Sequence, residues 1–353
     1  MKNPVNIAKK GYNKILKIDD LANRLNQIEE KQENILQQLS TIQNHLQTQL
    51  PTQLESQYQT QLDNATAATH DKIDSIASII KYTTDITKIP KASGLERTIQ
   101  KANFILYKEI AKILKANNIT FFVDFGILIG LVRHNDFIPW DDDIDISVPR
   151  TDYEKLPRIF KTAFKESGLK FVESEITRIY YKDTPLQLDI FPIDFSDNQL
   201  DNTGKLALKK KIIEYQSSIQ FDWQKLLSQQ SVIISPTIKE LRSIYHQTIY
   251  KRDLDLATAK QHKSSIIHSP ESPRGDRTYI LDYDDIFPLQ KANFMGTTIP
   301  VPHNIHQLLA KYYGDYFSIP NDLGKKHEDI KSRINTVTIE EVNDIVEAKG
   351  FIK

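Results

Sequence analysis

The chain has 353 residues, 46 basic against 46 acidic side chains, and no cysteine. Zero net charge argues against bulk electrostatic attachment to nucleic acid or to an anionic membrane, and the missing cysteines exclude a disulfide framework and a thiolate zinc site. No run approaches the roughly 18 apolar residues of a membrane span, and residues 1–18 lack the apolar centre of a signal peptide, so the expected location is cytoplasmic, or peripheral at the inner face of a membrane.

The chain is expected to open on a tail over residues 1–18 and a helical coiled-coil segment over 19–88. Between Gly11 and Gly94 there is no glycine, and only Pro51 interrupts between Pro4 and Pro90. Leu21, Leu25, Ile28, Ile35, Leu39, Ile42 and Leu46 follow the alternating spacing of a heptad seam, with Gln32 and Gln49 at the remaining seam positions. Such a seam favours self-association into a homo-oligomer, the alternative being a single helix lying along the rest of the protein. Pro51 should end or kink the first helix. The catalytic domain is expected over 89–345.

Residues 95–117 place Ile99, Ala102, Phe104, Ile105, Ile110, Ile113 and Leu114 as an amphipathic helix ending near Asn117-Asn118. Residues 119–125 then read as a short buried strand, Gly126 breaks it, and 127–133 read as a helix. A strand, a glycine and a helix start can cradle phosphate, because helix N-termini present unpaired N–H groups. A lone glycine at such a junction also serves simple packing. Arg133 and His134 at the end of this helix either face phosphate or cap the helix at the surface.

The segment Ile138-Pro139-Trp140-Asp141-Asp142-Asp143-Ile144-Asp145-Ile146 carries four carboxylates within apolar sequence. As a strand it would set Asp141, Asp143 and Asp145 on one face and Asp142, Ile144 and Ile146 on the other. Three such charges repel by roughly 6 kcal/mol at an effective dielectric of about 20, which calls for a divalent cation. A solvated Asp turn is the bland alternative, disfavoured by the Ile-x-Ile alternation. An EF-hand loop fits poorly, because Ile146 stands where that loop needs glycine. Trp140 either stacks on a base or a quaternary ammonium or plugs the core beside Pro139. A further strand, Leu186 to Asp194, sends Asp189 away from its apolar neighbours Leu188 and Ile190. Residues 201–263 read as a helical insertion with a basic run, Lys209-Lys210-Lys211, that either meets an anionic acceptor or is a solvated face. Residues 279–302 read as a hairpin with a turn at Gly296.

Phe122 to His134, Phe137 to Ile146, Leu188 to Asp194, Ile286-Phe287-Pro288-Leu289 and Tyr313-Gly314-Asp315-Tyr316, with Pro320 and His327, together resemble the LicD family, which includes fukutin and the fukutin-related protein. The resemblance implies an α+β fold with a nucleotidyltransferase-like mixed sheet and flanking helices. It implies transfer of a phosphorylated small alcohol, phosphocholine or a polyol phosphate, from a CDP-linked donor to the hydroxyl of a glycan or lipid-linked glycan, with release of CMP. On that basis Asp141, Asp143, Asp145 and Asp189 are expected to hold Mg²⁺ (or Mn²⁺), with Asp143, Asp145 and Asp189 catalytic. Gly126, Arg133, His134, Trp140 and His327 are expected on the donor side. The cradle departs from the family in being Phe125-Gly126 followed by Ile127, without a hydroxyl residue. Two competing functions remain: a sugar-nucleotide glycosyltransferase, for which too little chain lies between the coiled coil and Asp141 to form a βαβ nucleotide domain, and an inactive coiled-coil scaffold.

Overall fold

The protein is described by a computed structural model covering residues 4–47, 52–182, 184–218, 254–271, 278–319 and 336–348. It divides into two units, Met1–Ile89 and Pro90–Lys353.

The first unit holds α1 (Pro4–Gln47) and α2 (Thr52–Thr83). The helix therefore reaches back to Pro4, through most of the segment expected as a tail. The two helices touch where Gln43 donates to Gln59 (3.1 Å), on either side of Pro51. The seam is poorly covered within one chain, with Ile35 55% and Ile42 50% exposed. Among the described residues no helix is long and apolar enough to cross a membrane.

In the second unit α3 (Gly94–Ala116) buries Ile99, Ala102, Leu106, Ile110 and Leu114 along one face and stops at Asn117, with Asn118 in the left-handed region. Then follow β1 (Phe122–Asp124), α4 (Gly126–His134), β2 (Asp145–Pro149), α5 (Arg150–Tyr153), α6 (Leu156–Ala163), β3 (Leu169–Glu173), β4 (Thr177–Tyr181), β5 (Gln187–Phe195) and α7 (Asn202–Ser218). After a short helix, Leu256–His262, come β6 (Ile266–His268), β7 (Tyr279–Leu281) and a separate hairpin, β8 (Gln290–Phe294) and β9 (Thr297–Val301). Met295 and Gly296 both take positive φ at its turn, as a two-residue hairpin loop requires. The helices Ile305–Tyr313 and Thr336–Ala348 complete the unit.

The main sheet is mixed and has seven strands, running β1-β2-β5-β4-β3 with β6 and β7 added beside the far end of β5. The pair β2/β5 is parallel; the other described pairs are antiparallel. Ile146, Val148, Leu188, Ile190 and Ile179 are fully buried on one face, against which α3 packs. Strand alternation sends Asp145 and Asp189 to the other face. Below that site, the Arg150 guanidinium bridges Asp194 (2.8 Å) and Glu271 (2.7 Å), all three side chains at most 1% exposed. This buried group pins the end of β2 to β5 and to the chain after β6.

Of the expected insertion, α7 and the Leu256–His262 helix are helical as read, and Trp223 lies outside the described residues.

Candidate active site

The acidic run does not begin as a strand. Residues 141–144 are irregular and β2 starts only at Asp145: side chains of α3 hold the carbonyls of Asp141 and Asp142, and the first bond to β5 is the Asp189 N–H donating to the Ile144 carbonyl (3.1 Å). Gln100 Nε2 donates to the carbonyls of Ile138 (3.1 Å) and Asp141 (2.8 Å), and Asn103 Nδ2 donates to that of Asp142 (2.6 Å). Asn103 Oδ1 in turn accepts from the Gln187 N–H (3.1 Å), joining the loop to β5. A buried loop must satisfy its carbonyls somewhere, and two amides inside the apolar stripe of α3 do so. Arg97 clamps Asp136 with two bonds, 2.7 and 2.8 Å, at the head of the same loop.

Register then builds the charge row. Asp124 of β1 pairs with Asp145 of β2, Asp145 with Asp189 of β5, and Asp189 with Arg178 of β4, so four charged residues cross four strands on one face. Burial, together with the charges of Asp143, Asp189, Asp141 and Asp124, holds the Asp145 carboxyl well above the usual carboxylate range. Asp189 is also raised, by burial first; Arg178 opposes the shift and Asp143 and Glu175 add to it. Asp142 is pushed up to about 7 by burial and then by Asp143.

Arg178 lies 3.6 Å from Asp189 Oδ2 and spends its other nitrogens on Glu175 (2.6 Å) and Ser174 (2.9 Å). Asp189 Oδ1 is buried and has no hydrogen-bond partner. By contrast both oxygens of Asp124 are engaged. Oδ1 accepts from the Phe125 N–H (2.9 Å); Oδ2 accepts from Ser147 Oγ (2.6 Å) and lies 3.0 Å from His268 Nε2. Ser269 Oγ lies 2.9 Å from the other ring nitrogen of His268, which is fully buried.

Gly126 opens α4 after Phe125, a non-glycine residue at φ 49° and ψ −120°, the sort of strained junction that accumulates at functional turns. A methyl group on Gly126 would overlap the Asp141 carboxylate. The space in front of this glycine, expected to receive phosphate, is therefore occupied by Asp141, whose acid sits over the helix start. A Gly126→Ala variant should fold normally, since alanine suits a helix and the obstructing atom is a side-chain tip. Its turnover should fall about 100-fold, because displacing a site group by about 1 Å is worth that much. Thermal melts and rate measurements on the same preparation check both halves.

Arg133 is buried, not a surface cap. It donates to the Tyr316 carbonyl (2.7 Å), lies 5.7 Å from the Trp140 ring, and keeps Nε and one terminal nitrogen without partners. Burial lowers its guanidinium to about 10, with Asp141 opposing. His134 meets the edge of Trp140 at 6.5 Å, and burial, then the charge of Arg133, lowers it to about 4, so it is neutral at pH 7. Trp140 thus packs partly on the core and partly between these two side chains. Tyr313 is 43% exposed as a residue, yet local burial of its hydroxyl, and then the charges of Asp145, Asp124 and Asp141, raise that group. His327 lies outside the described residues.

Residues 118–237 match the family model described as LicD/FKTN/FKRP, nucleotidyltransferase domain. That part of the chain is a LicD-type domain. Among LicD relatives, the lipopolysaccharide cholinephosphotransferase LicD of Haemophilus influenzae is 24% identical over 58% of this chain and 85% of its own length. Ribitol 5-phosphate transferase FKRP of Homo sapiens is 28% identical over 24% of this chain and 18% of its own. An uncharacterized protein of Rickettsia prowazekii, RP689, is 32% identical over 31% of this chain and 40% of its own.

Sequence reasoning missed Asp124 and Arg178 inside this domain match, and His268, Gln100 and Asn103 outside it. Asp124 carried the same signal as Asp189, a carboxylate inside an apolar strand. Gln100 and Asn103 were visible as polar residues inside the apolar stripe of α3. Arg178 had no signal of its own, since only the β4/β5 register brings it to Asp189.

Proposed function

We propose that this LicD-type phosphotransferase moves a phosphorylated small alcohol, phosphocholine or a polyol phosphate, from a CDP-linked donor to a hydroxyl of a cell-surface glycan and releases CMP. The observation that carries the reading is the row Asp124, Asp145, Asp189 and Arg178 in lateral register, with one oxygen of Asp189 buried and unpartnered.

The carboxylates also bear on the cation. Among the described residues no three acidic or histidine side chains converge closely enough to hold a metal by themselves. Hard oxygen donors that repel one another, one of them lacking any partner, nonetheless suit Mg²⁺ (or Mn²⁺), which is typically held by one or two carboxylates completed by substrate phosphates. Asp141, Asp143, Asp145 and Asp189 are the residues that would hold it, and its charge would offset that of the donor diphosphate. In this reading Asp189 takes the acceptor proton: the hydroxyl oxygen bonds to the phosphorus distal to cytidine, the bond from that phosphorus to CMP breaks, and the proton passes to the carboxylate. Burial raises the Asp189 carboxyl when no cation is bound, which favours proton uptake near neutral pH by an Asp189 that leaves the cation to the other acids. The unpartnered nitrogens of Arg133 offer a charge for a phosphate oxygen, and the neutral ring of His134 with Trp140 forms an aromatic border.

The test is a panel of CDP-alcohols with Mg²⁺ and a glycan hydroxyl acceptor, following CMP. The expected result is CMP release that an Asp143→Asn variant lacks. Turnover of a UDP-sugar with none of the CDP donors would reverse the assignment.

We further infer that the helical seam joins copies of this chain. Replacing Ile35 and Ile42 together by Asp should reduce the mass measured by light scattering to that of one chain and leave CMP release unchanged. An unaltered mass would remove the seam from assembly.

A further inference from the structure

His268 is fully buried on the face of the sheet that carries the acids. It pairs with Ile193 of β5, and alternation along β5 and β2 sets Ile193, Phe191, Asp189, Ser147 and Asp145 on that same face. From β6 the ring reaches past β5 to β2 and β1: Nε2 lies 2.9 Å from Ser147 Oγ and 3.0 Å from Asp124 Oδ2. Ser147 gives its own proton to Asp124 (2.6 Å), so Nε2 faces two acceptors and donates. Behind the ring, Ser269 Oγ lies 2.9 Å from Nδ1. Ser269 is a non-glycine residue at φ 50°, held by its N–H on the Pro192 carbonyl (3.2 Å) and by Thr278 Oγ1, which donates to its carbonyl (3.1 Å). Two neighbours thus keep a strained backbone at the position that aims a hydroxyl at the ring, and the ring orientation is fixed from both sides.

These bonds end at the turn into α4. Asp124 Oδ1 accepts from the Phe125 N–H, and the Phe125 ring meets that of His268 at 84°, with centres 5.1 Å apart. His268 therefore holds the side chains of both residues that precede Gly126. Phe125 carries the positive φ of the turn, and Gly126 the close approach of Asp141. Both oxygens of Asp124 are committed to Phe125, Ser147 and His268, which makes this acid a tether for the turn.

We propose that His268 is a positioning residue: acting through Asp124 and Phe125, it fixes the turn into α4 and hence the seat of the Asp141 carboxylate over Gly126. The inference rests on reading the acids as the transfer site, and it adds to that site a residue that touches neither donor nor acceptor.

The experiment compares His268→Leu with His268→Gln, whose amide nitrogen stands as many bonds from the backbone as Nε2 and so keeps the donor. Each is made in the full chain with Trp223→Phe, which leaves Trp140, next to Asp141, as the one tryptophan. Both are assayed below their melting temperatures. His268→Leu should shift the Trp140 emission and lower kcat for CMP release about 100-fold, the effect of a site group misplaced by about 1 Å. His268→Gln should keep the native emission and a kcat within about fivefold, the worth of one neutral hydrogen bond. Combining His268→Leu with Gly126→Ala should be no slower than the slower single variant, because both act on one seat, whereas unrelated injuries would multiply to roughly 10⁴-fold. Native emission in His268→Leu, equal losses in the Leu and Gln variants, or multiplied effects in the double variant would each overturn the proposal. If His268→Leu does not fold, Ser269→Ala decides the question by releasing the ring from behind: kcat should fall about fivefold, and a native rate would overturn the proposal. A native protein that releases no CMP from any CDP-alcohol removes the transfer reading, and the Trp140 emission of the two variants still decides the role of His268.

Discussion

Replacing Asp145 by Asn should lower turnover at least about 10³-fold while leaving the protein as stable as before, or more so. Asp145 is the middle of the row, with Asp124 and Asp189 beside it on neighbouring strands and Asp143 and Asp141 acting on it from the loop. Strands lie about 4.8 Å apart, and two carboxylates at that spacing repel by roughly 3 kcal/mol at an effective dielectric of about 20. The neutral amide keeps the shape and removes the repulsion, so the folded state gains what the site loses. The pH dependence follows with a definite sign. A carboxyl whose folded pKa stands above its unfolded value binds more protons when folded, so stability declines as pH rises from about 4 upward through the folded pKa. Asp145, Asp189 and Asp142 are all raised, and Asp142, at about 7, carries the decline to neutrality. Melting temperatures between pH 4 and 8, without divalent cation, should fall in the native protein and fall less in Asp145→Asn. Added Mg²⁺ should restore stability at pH 8 in the native protein more than in the variant. Near-normal turnover in Asp145→Asn would remove this residue from the chemistry.

The second large effect concerns stability alone. Arg150→Met should cost about 3–5 kcal/mol, because Asp194 and Glu271 would stay buried after losing the guanidinium they share. For a domain of this size that is a fall of roughly 6–20 °C in melting temperature. What matters about Arg150 is that its charge compensates two buried acids. A triple variant with Asp194→Asn and Glu271→Gln should therefore recover much of the loss, whereas Arg150→Met alone should resemble a chain with a damaged core. If the single variant melts within about 2 °C of the native protein, the buried cluster is not what pins β2 to β5.

The difference between these two sites shows what the sequence could reveal. A run of acids in apolar surroundings is anomalous on its face, so Asp141, Asp143, Asp145 and Asp189 drew attention together, and the structure gathers them with Asp124. Helix α3, the long strand through Asp189 and the hairpin turn at Gly296 also followed from periodicity and turn chemistry. The start of β2 did not. Alternation over residues 141–146 mimics a strand, but the partners of that backbone are amides 39 to 41 residues earlier, and no local pattern encodes them. Arg150, Asp194 and Glu271 read as ordinary polar residues, since their burial depends on where β5 and the chain after β6 return. Gly126 was noticed for the right reason, a close approach at a helix start, but the group approaching is Asp141 of the same chain.

The central place of β5 has a consequence for how the protein is made. Residues 94–149 hold α3, β1, α4 and the acidic loop, whose mutual contacts do not require β5. Asp189 arrives later on a strand that must lie between β2 and β4, paired with both. Half of the charge row can therefore exist in a nascent chain, but no partly folded form contains all of it. Pairing of β5 with both neighbours completes the row, so activity regained during refolding should follow the closing of the sheet rather than the formation of its parts.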